Sequence, residues 1–182
     1  MPETRSGLAD SPDRYGLLSR IFHWALAALI GWQLLGMVLK LILGRHPVVA
    51  VFVGQHQPLG ALIFVLVVLR LVWALANARR RPPHEPGVAG LLARAAHGTL
   101  YLLMLAVPAL ALLRAWGGTR GLNVWGWQVF APRETAVDWA ASPAVAHGPL
   151  GFLLLALILL HVAAALWHRL VLRDAVLSRM AG

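Results

Sequence analysis

Four long apolar segments alternate with polar connections that contain most of the proline and much of the glycine. They cover about residues 21–43, 58–78, 91–113 and 148–172. Each approaches or exceeds the roughly 20 residues that cross the hydrocarbon core of a bilayer as a helix. A segment in lipid must satisfy its own backbone polar groups, which a helix does. The pattern predicts an all-α integral membrane protein, a four-helix bundle in which residues 1–182 form a single transmembrane domain.

Composition supports this fold class and excludes several others. Of the 182 residues, 59% are hydrophobic and 13% are charged, and that charged share is about half the share in soluble domains. A soluble enzyme with this composition would expose large apolar patches, and a disordered chain would contain far fewer apolar residues. Because the chain has no cysteine, it forms no disulfide, thiolate zinc site, iron–sulfur cluster or covalently attached c-type haem.

The net charge of +9 indicates membrane lipid rather than nucleic acid as the partner, because the basic residues cluster where the apolar segments end. With a cytoplasmic N-terminus, ten basic residues lie inside: Arg5, Arg14, Arg20, Arg79, Arg80, Arg81, Arg94, Arg169, Arg173 and Arg179. Five lie outside: Lys40, Arg45, Arg114, Arg120 and Arg133. This asymmetry predicts that the N- and C-termini are both cytoplasmic.

Histidine is the unusual polar residue of the chain, with eight copies. His147 and His161 are 14 residues apart in the fourth segment, which is about 21 Å along a helix and ~40° short of four full turns. They therefore share one face of the helix. His56 matches the outer level of His147, whereas His23 and His97 both match the inner level of His161. Two layers of paired imidazoles are expected.

A b-type haem needs two neutral imidazoles on opposite sides of its iron. Gly60, Gly148 and Gly151 would leave room for a flat porphyrin beside the outer pair. Metal-ion transport is the main alternative, because imidazole also binds Zn²⁺ and Cu²⁺. The four segments contain no Asp, Glu or Cys, which favours haem over transport. Spacing alone leaves His23 and His97 as competing ligands for the inner haem.

Arg70 is the remaining basic residue, and it lies within the second segment. It follows His56 by 14 residues and so points to the same face at the inner level. Two roles are open for it: a partner for haem propionates, or an arginine that extends to the inner headgroups.

These residues resemble the prokaryotic cytochrome b561 family of four-helix membrane dihaem proteins, over nearly the whole chain. The motifs that carry the resemblance are Tyr15, Phe22-His23-Trp24, His56-Gln57-Pro58-Leu59-Gly60, Leu69-Arg70-Leu71, His97-Gly98, Tyr101, Pro108, His147, His161-Val162-Ala163-Ala164-Ala165-Leu166 and His168. One departure is Arg169, which follows His168 where stand-alone members often carry two adjacent histidines.

The resemblance implies two haem b groups and a bacterial inner (plasma) membrane location. It implies that His23 and His161 hold the inner haem iron, and that His56 and His147 hold the outer one. His97 and His168 then become candidates for a place beside the inner haem or in a quinone site. Ser19 and Arg20 are further candidates for that site because they are polar residues at the inner level.

Stand-alone members of the family look like superoxide oxidases, which pass electrons from superoxide to ubiquinone, and this is the expected function here. The alternative is an electron-conduit subunit between a dehydrogenase or hydrogenase and quinone. A metal-handling or structural membrane protein is the third hypothesis. The expected partners are membrane lipid, a quinone, and either superoxide or a redox partner protein.

Overall fold

The computed structural model describes residues 7–83 and 86–181, and four long helices dominate this part of the chain. They are α1 (Leu17–Leu43), α2 (Pro47–Ala76), α3 (Gly87–Gly117) and α5 (His147–Trp167). All four are long and apolar enough to cross a membrane, which confirms the all-α, four-helix membrane fold. Arg5, counted above among the cytoplasmic basic residues, lies outside the described residues.

Short elements occupy the connections. They are a 3₁₀ turn (Ala78–Arg80), β1 (Leu122–Val124), β2 (Trp127–Phe130), α4 (Asp138–Ala141), a second 3₁₀ turn (Ser142–Ala146), a π-helical turn (His168–Leu172) and α6 (Ser178–Ala181). β1 and β2 pair as an antiparallel hairpin. Trp125 and Gly126 form its two-residue turn, both with positive φ, as tight hairpin turns require.

The second helix begins at Pro47, and not at Pro58 as the sequence suggested. The His46 side chain accepts a hydrogen bond from the Val48 backbone N–H at 3.2 Å, and proline is favoured in the first turn because it has no N–H to satisfy. Pro58 therefore lies inside α2, where membrane helices tolerate proline. His56 consequently stands within the helix and not at its start.

The other long helices also differ from the sequence ranges at their ends. α1 begins at Leu17 and α3 extends from Gly87 to Gly117, so both continue into residues more polar than the apolar segments. The fourth segment starts one residue early, at His147, and its last turn is π-helical up to Leu172. Hydrogen bonding along a helix continues past the apolar segment that hydropathy detects.

The bundle has two distinct ends, which we name by their residues. The hairpin end contains residues 44–46 and 118–146, and there Trp125 Nε1 donates to Gln55 Oε1 at 3.0 Å. The terminal end contains residues 7–16, 77–83 and 168–181. There the Tyr15 backbone N–H donates to the Arg179 carbonyl at 3.2 Å, so both terminal segments lie on the same side of the bundle.

Side-chain hydrogen bonds at the terminal end join segments that are distant in the sequence. The Asp10 carboxylate is buried and accepts from the Gly16 backbone N–H at 2.9 Å and from Arg81 Nε at 3.1 Å. Trp24 Nε1 donates to the Met180 carbonyl at 3.3 Å. The segment after α5 is therefore joined to the start of α1.

Helix packing follows chain order: α1 packs on α2, α2 on α3, and α3 on α5. Leu26 and Ile30 of α1 pack with Ile63 and Val67 of α2 in one buried cluster. A second buried cluster joins Leu100 and Leu103 of α3 to Leu154 of α5. α5 reaches the α1–α2 cluster through Ile158.

α1 approaches α2 closely at Gly36. A Cβ at this position would lie 2.6 Å from the Cβ of Phe52, whose ring stacks on Trp32 at 4.3 Å between ring centres. Gly31 lies on the same helix, but a Cβ there would meet nothing within 4 Å. The two glycines form a matched pair in which only Gly36 is required for packing.

We therefore expect opposite effects of alanine at the two positions. Gly36→Ala should lower the thermal unfolding midpoint in detergent, because overpacking of this kind costs about 1–3 kcal/mol. Gly31→Ala should leave the midpoint unchanged or raise it, because alanine is the better helix former by roughly 1 kcal/mol. Circular dichroism measures both unfolding midpoints. An equal loss of stability in the two variants would contradict the close α1–α2 contact.

Candidate functional site

Two histidines face each other near the hairpin end. The ring centres of His56 on α2 and His147 on α5 are 5.9 Å apart, with the ring planes at 84°. His147 Nδ1 lies 2.8 Å from the Val107 carbonyl oxygen. Because a carbonyl can only accept, this contact places the proton of a neutral His147 on Nδ1. The lone pair of that ring is then on Nε2.

Three histidines meet near the terminal end. The His23 and His161 ring centres are 6.4 Å apart, and the His97 and His161 ring centres are 5.5 Å apart. His161 therefore has a neighbouring imidazole on α1 and another on α3. His23 and His161 are partly buried, whereas the His97 side chain is exposed.

The dimensions of both groups suit haem. Two imidazoles on opposite sides of one metal ion, each with a nitrogen about 2 Å from it, have ring centres roughly 6 Å apart. A Cβ at Gly148 or at Gly151 would meet nothing within 4 Å, so neither position is filled by protein. The donor set also fits, since neutral imidazole is a haem ligand.

A site for a bare metal ion is not supported. In the part of the chain that the structure describes, no group of three or more His, Asp or Glu side chains is arranged to hold such an ion. Transport sites for divalent metals are built from such groups.

Arg70 faces the cluster at the terminal end. Its Nη2 donates to His23 Nδ1 at 3.1 Å, and its guanidinium carbon lies 5.6 Å from the centre of the Tyr101 ring. The Arg70 side chain therefore points toward the histidines at this end of the bundle.

The four residues considered for a quinone site each contact a different partner. The Ser19 hydroxyl accepts a hydrogen bond from Trp73 Nε1 at 2.9 Å, and Arg20 Nη2 donates to the Ala181 carbonyl at 2.9 Å. The His97 ring lies against the His161 ring. His168 Nδ1 is 2.6 Å from the Asp174 carboxylate. Hydrogen bonds from the His168 ring and the Val176 backbone N–H hold the pKa of the Asp174 carboxyl below its usual range. Of these four residues, His97 is the one that contacts a histidine of the paired layers, His161.

Gln33 is a residue near the site that sequence reasoning did not identify. Its Nε2 donates to the His56 carbonyl oxygen at 2.8 Å. A Cβ at Gly60 would lie 3.4 Å from that same Nε2, which places the amide against α2. The available signal was a glutamine within an apolar segment, because amides in membrane helices commonly bond to neighbouring helices.

Comparison with known proteins gives a consistent result over the whole bundle. Residues 14–182 match the family model described as prokaryotic cytochrome b561. The chain is 29% identical over 178 residues to cytochrome b561 homolog 2 of Escherichia coli K12, an alignment that covers 95% of this chain and 94% of that protein. It is 31% identical over 171 residues to cytochrome b562 of Cereibacter sphaeroides, with 91% and 94% covered.

Proposed function

The chain belongs to the prokaryotic cytochrome b561 family, and from this premise we propose that it carries two haem b groups at two membrane levels. Membership makes it a multi-pass bacterial membrane protein that binds haem b and transfers electrons. The observation that carries the two-haem proposal is the presence of two histidine pairs, with ring centres 5.9 Å and 6.4 Å apart. We place the protein in the inner (plasma) membrane.

His56 and His147 are the proposed ligands near the hairpin end, and His23 with His161 near the terminal end. The Val107 carbonyl orients His147 so that Nε2 is available to iron. His97 has comparable spacing to His161. The family pattern favours His23 over His97, and the exposure of His97 suits a position beside the haem better than an axial one.

Arg70 has a second role in this proposal. A neutral His23 that binds iron through Nε2 carries its proton on Nδ1, and an arginine cannot accept that proton. The present contact between Arg70 and His23 Nδ1 is therefore incompatible with such ligation. We propose that Arg70 turns from His23 to the haem propionates, whose charge it complements.

The two pairs lie about 21 Å apart along α5, which is a large part of the ~30 Å hydrocarbon core. Haem supplies one-electron chemistry when it is bound between the histidines. The helices fix the separation of the two pairs. Redox reactions at opposite membrane faces can thereby be coupled.

We propose superoxide oxidation at the hairpin end, which the positive-inside rule makes the outer face. There each superoxide anion would lose one electron and leave as dioxygen. An open cleft of about 380 Å³ at this end is lined by residues that include Lys40, Arg45 and His46. The Lys40 ammonium is also within electrostatic range of the His56 ring. These positive charges would attract a small anion toward the outer histidine pair.

At the terminal end, ubiquinone would take up two electrons and two protons to become ubiquinol. His97 is the foremost candidate for the quinone site, because it is exposed and lies against His161. Ser19, Arg20 and His168 stay candidates at the same end of the bundle.

Single ligand replacements should separate the two levels. His56→Ala and His147→Ala should each remove, or leave high-spin, one and the same haem, because each takes one ligand from the hairpin-end pair. His23→Ala and His161→Ala should affect the other haem. Optical and electron paramagnetic resonance spectra of the purified variants measure this, and His97→Ala serves as the control that keeps two low-spin haems.

The contrary outcome is also specific. Two low-spin haems in His23→Ala, together with loss of one in His97→Ala, would move the ligand at the terminal end from α1 to α3. The assignment of His23 would then be wrong, while the pairing of two levels would stand.

The superoxide reaction is testable with the purified protein and no partner. Enzymatically generated superoxide should reduce a soluble ubiquinone analogue, and superoxide dismutase should abolish the reaction. Lys40→Glu combined with Arg45→Glu should slow the reaction by ~10-fold at low salt, because electrostatic steering has this magnitude. Arg79→Glu at the terminal end is the control. If quinone is reduced only when a dehydrogenase or hydrogenase is added, the protein is an electron-conduit subunit.

A further inference from the structure

The two histidines of the hairpin-end pair differ in what their Nδ1 atoms contact. His147 Nδ1 is held by the Val107 carbonyl at 2.8 Å. His56 Nδ1 is buried and has no hydrogen-bond partner as the side chains stand. Histidines that bind a metal almost always donate the proton of the other ring nitrogen to a carbonyl, carboxylate or water. An acceptor for His56 is therefore missing from an otherwise complete pair.

An unused acceptor lies on a residue that already contacts His56. Gln33 Nε2 donates to the His56 carbonyl oxygen at 2.8 Å, while Gln33 Oε1 is buried and has no partner. The oxygen and nitrogen of one amide are bonded to the same carbon, so Oε1 is also held next to His56. A buried donor and a buried acceptor, both unsatisfied, thus belong to two residues that are already joined.

Leaving both groups unpaired is unfavourable, because a buried polar atom without a partner loses its hydration and gains nothing. Gly60 lies beside this amide, since a Cβ there would be 3.4 Å from Gln33 Nε2. A hydrogen bond from His56 Nδ1 to Gln33 Oε1 would satisfy both atoms at once.

We propose that Gln33 is the positioning residue of the outer haem: its Oε1 accepts the Nδ1 proton of His56 and so directs Nε2 to the iron. The proposal rests on the ligand role of His56 given above. A hydrogen bond to Nδ1–H makes an imidazole a stronger electron donor. It therefore stabilises the oxidised haem and lowers the reduction potential at this level only.

The test compares two substitutions of Gln33 with one control in the haem-loaded protein. Gln33→Leu removes the acceptor and the tether to the His56 carbonyl. Gln33→Glu keeps an acceptor oxygen at the same distance along the side chain. Gln57→Leu is the matched control, because Gln57 is the next residue after His56 but its side chain is exposed. Potentiometric titration of both haems and the haem-to-protein ratio are the readouts.

We expect Gln33→Leu to raise the potential of the outer haem and to weaken its binding by about 10-fold or more, with the inner haem unchanged. Gln33→Glu should leave the outer potential equal to the wild-type value or below it. Gln57→Leu should change neither haem. An unchanged inner haem also reports that each variant has folded, and Gln33→Met replaces the leucine variant if that protein does not assemble.

Two results would overturn the proposal. Unchanged potentials in Gln33→Leu and Gln33→Met would show that Oε1 accepts nothing from His56. A Gln33→Glu protein that behaves like Gln33→Leu would show that the amide acts only as a tether through its Nε2. Failure of the underlying ligand assignment looks different. In that case the His56→Ala variant would keep its outer haem in the low-spin state.

Discussion

An imidazole at membrane depth needs a polar partner, and this need governs the arrangement of α5. Packing against apolar neighbours cannot satisfy a ring nitrogen, because lipid and leucine offer no donor or acceptor. α5 packs on α3, and its two histidines each face an imidazole on another helix, His56 of α2 and His23 of α1. His147 Nδ1 also meets the Val107 carbonyl oxygen of α3, so each ring at this depth has a polar neighbour.

The two ends of the bundle are held by different means. At the terminal end, the buried Asp10 carboxylate binds Arg81 and the Gly16 backbone, and the last helical segment bonds back to α1. At the hairpin end, Arg133 Nε donates to the Trp116 carbonyl at 2.9 Å and Trp125 Nε1 donates to Gln55 Oε1 at 3.0 Å, so the long connection is bonded to the ends of α3 and α2.

Hydropathy and helical periodicity predicted much of this molecule. The four apolar segments correspond to the four long helices, and the interval between His147 and His161 placed two imidazoles on one face of α5. Periodicity could not choose between His23 and His97, because rotation of one helix against another is set by packing, and both rings in fact lie near His161. Nor could it give the direction of Arg70, which depends on whether a partner is nearer than the headgroups.

Other features were missed for physical reasons. Pro58 suggested a helix start, but a membrane helix accommodates proline and α2 begins with the capped turn at Pro47. The hairpin at residues 122–130 is too short for a strand pattern to be recognised. Gln33 has no motif at all, and its contact with His56 becomes visible only when α1 and α2 are packed together.

The most direct measurement is the amount of non-covalent haem b per chain in the detergent-purified protein, determined by pyridine haemochrome absorbance against amino-acid analysis. Two haems per chain are expected, both released by acidic acetone because the chain contains no cysteine to attach them. A ratio of one, or of none, would contradict the two-level arrangement that connects the paired histidines to electron transfer across the membrane.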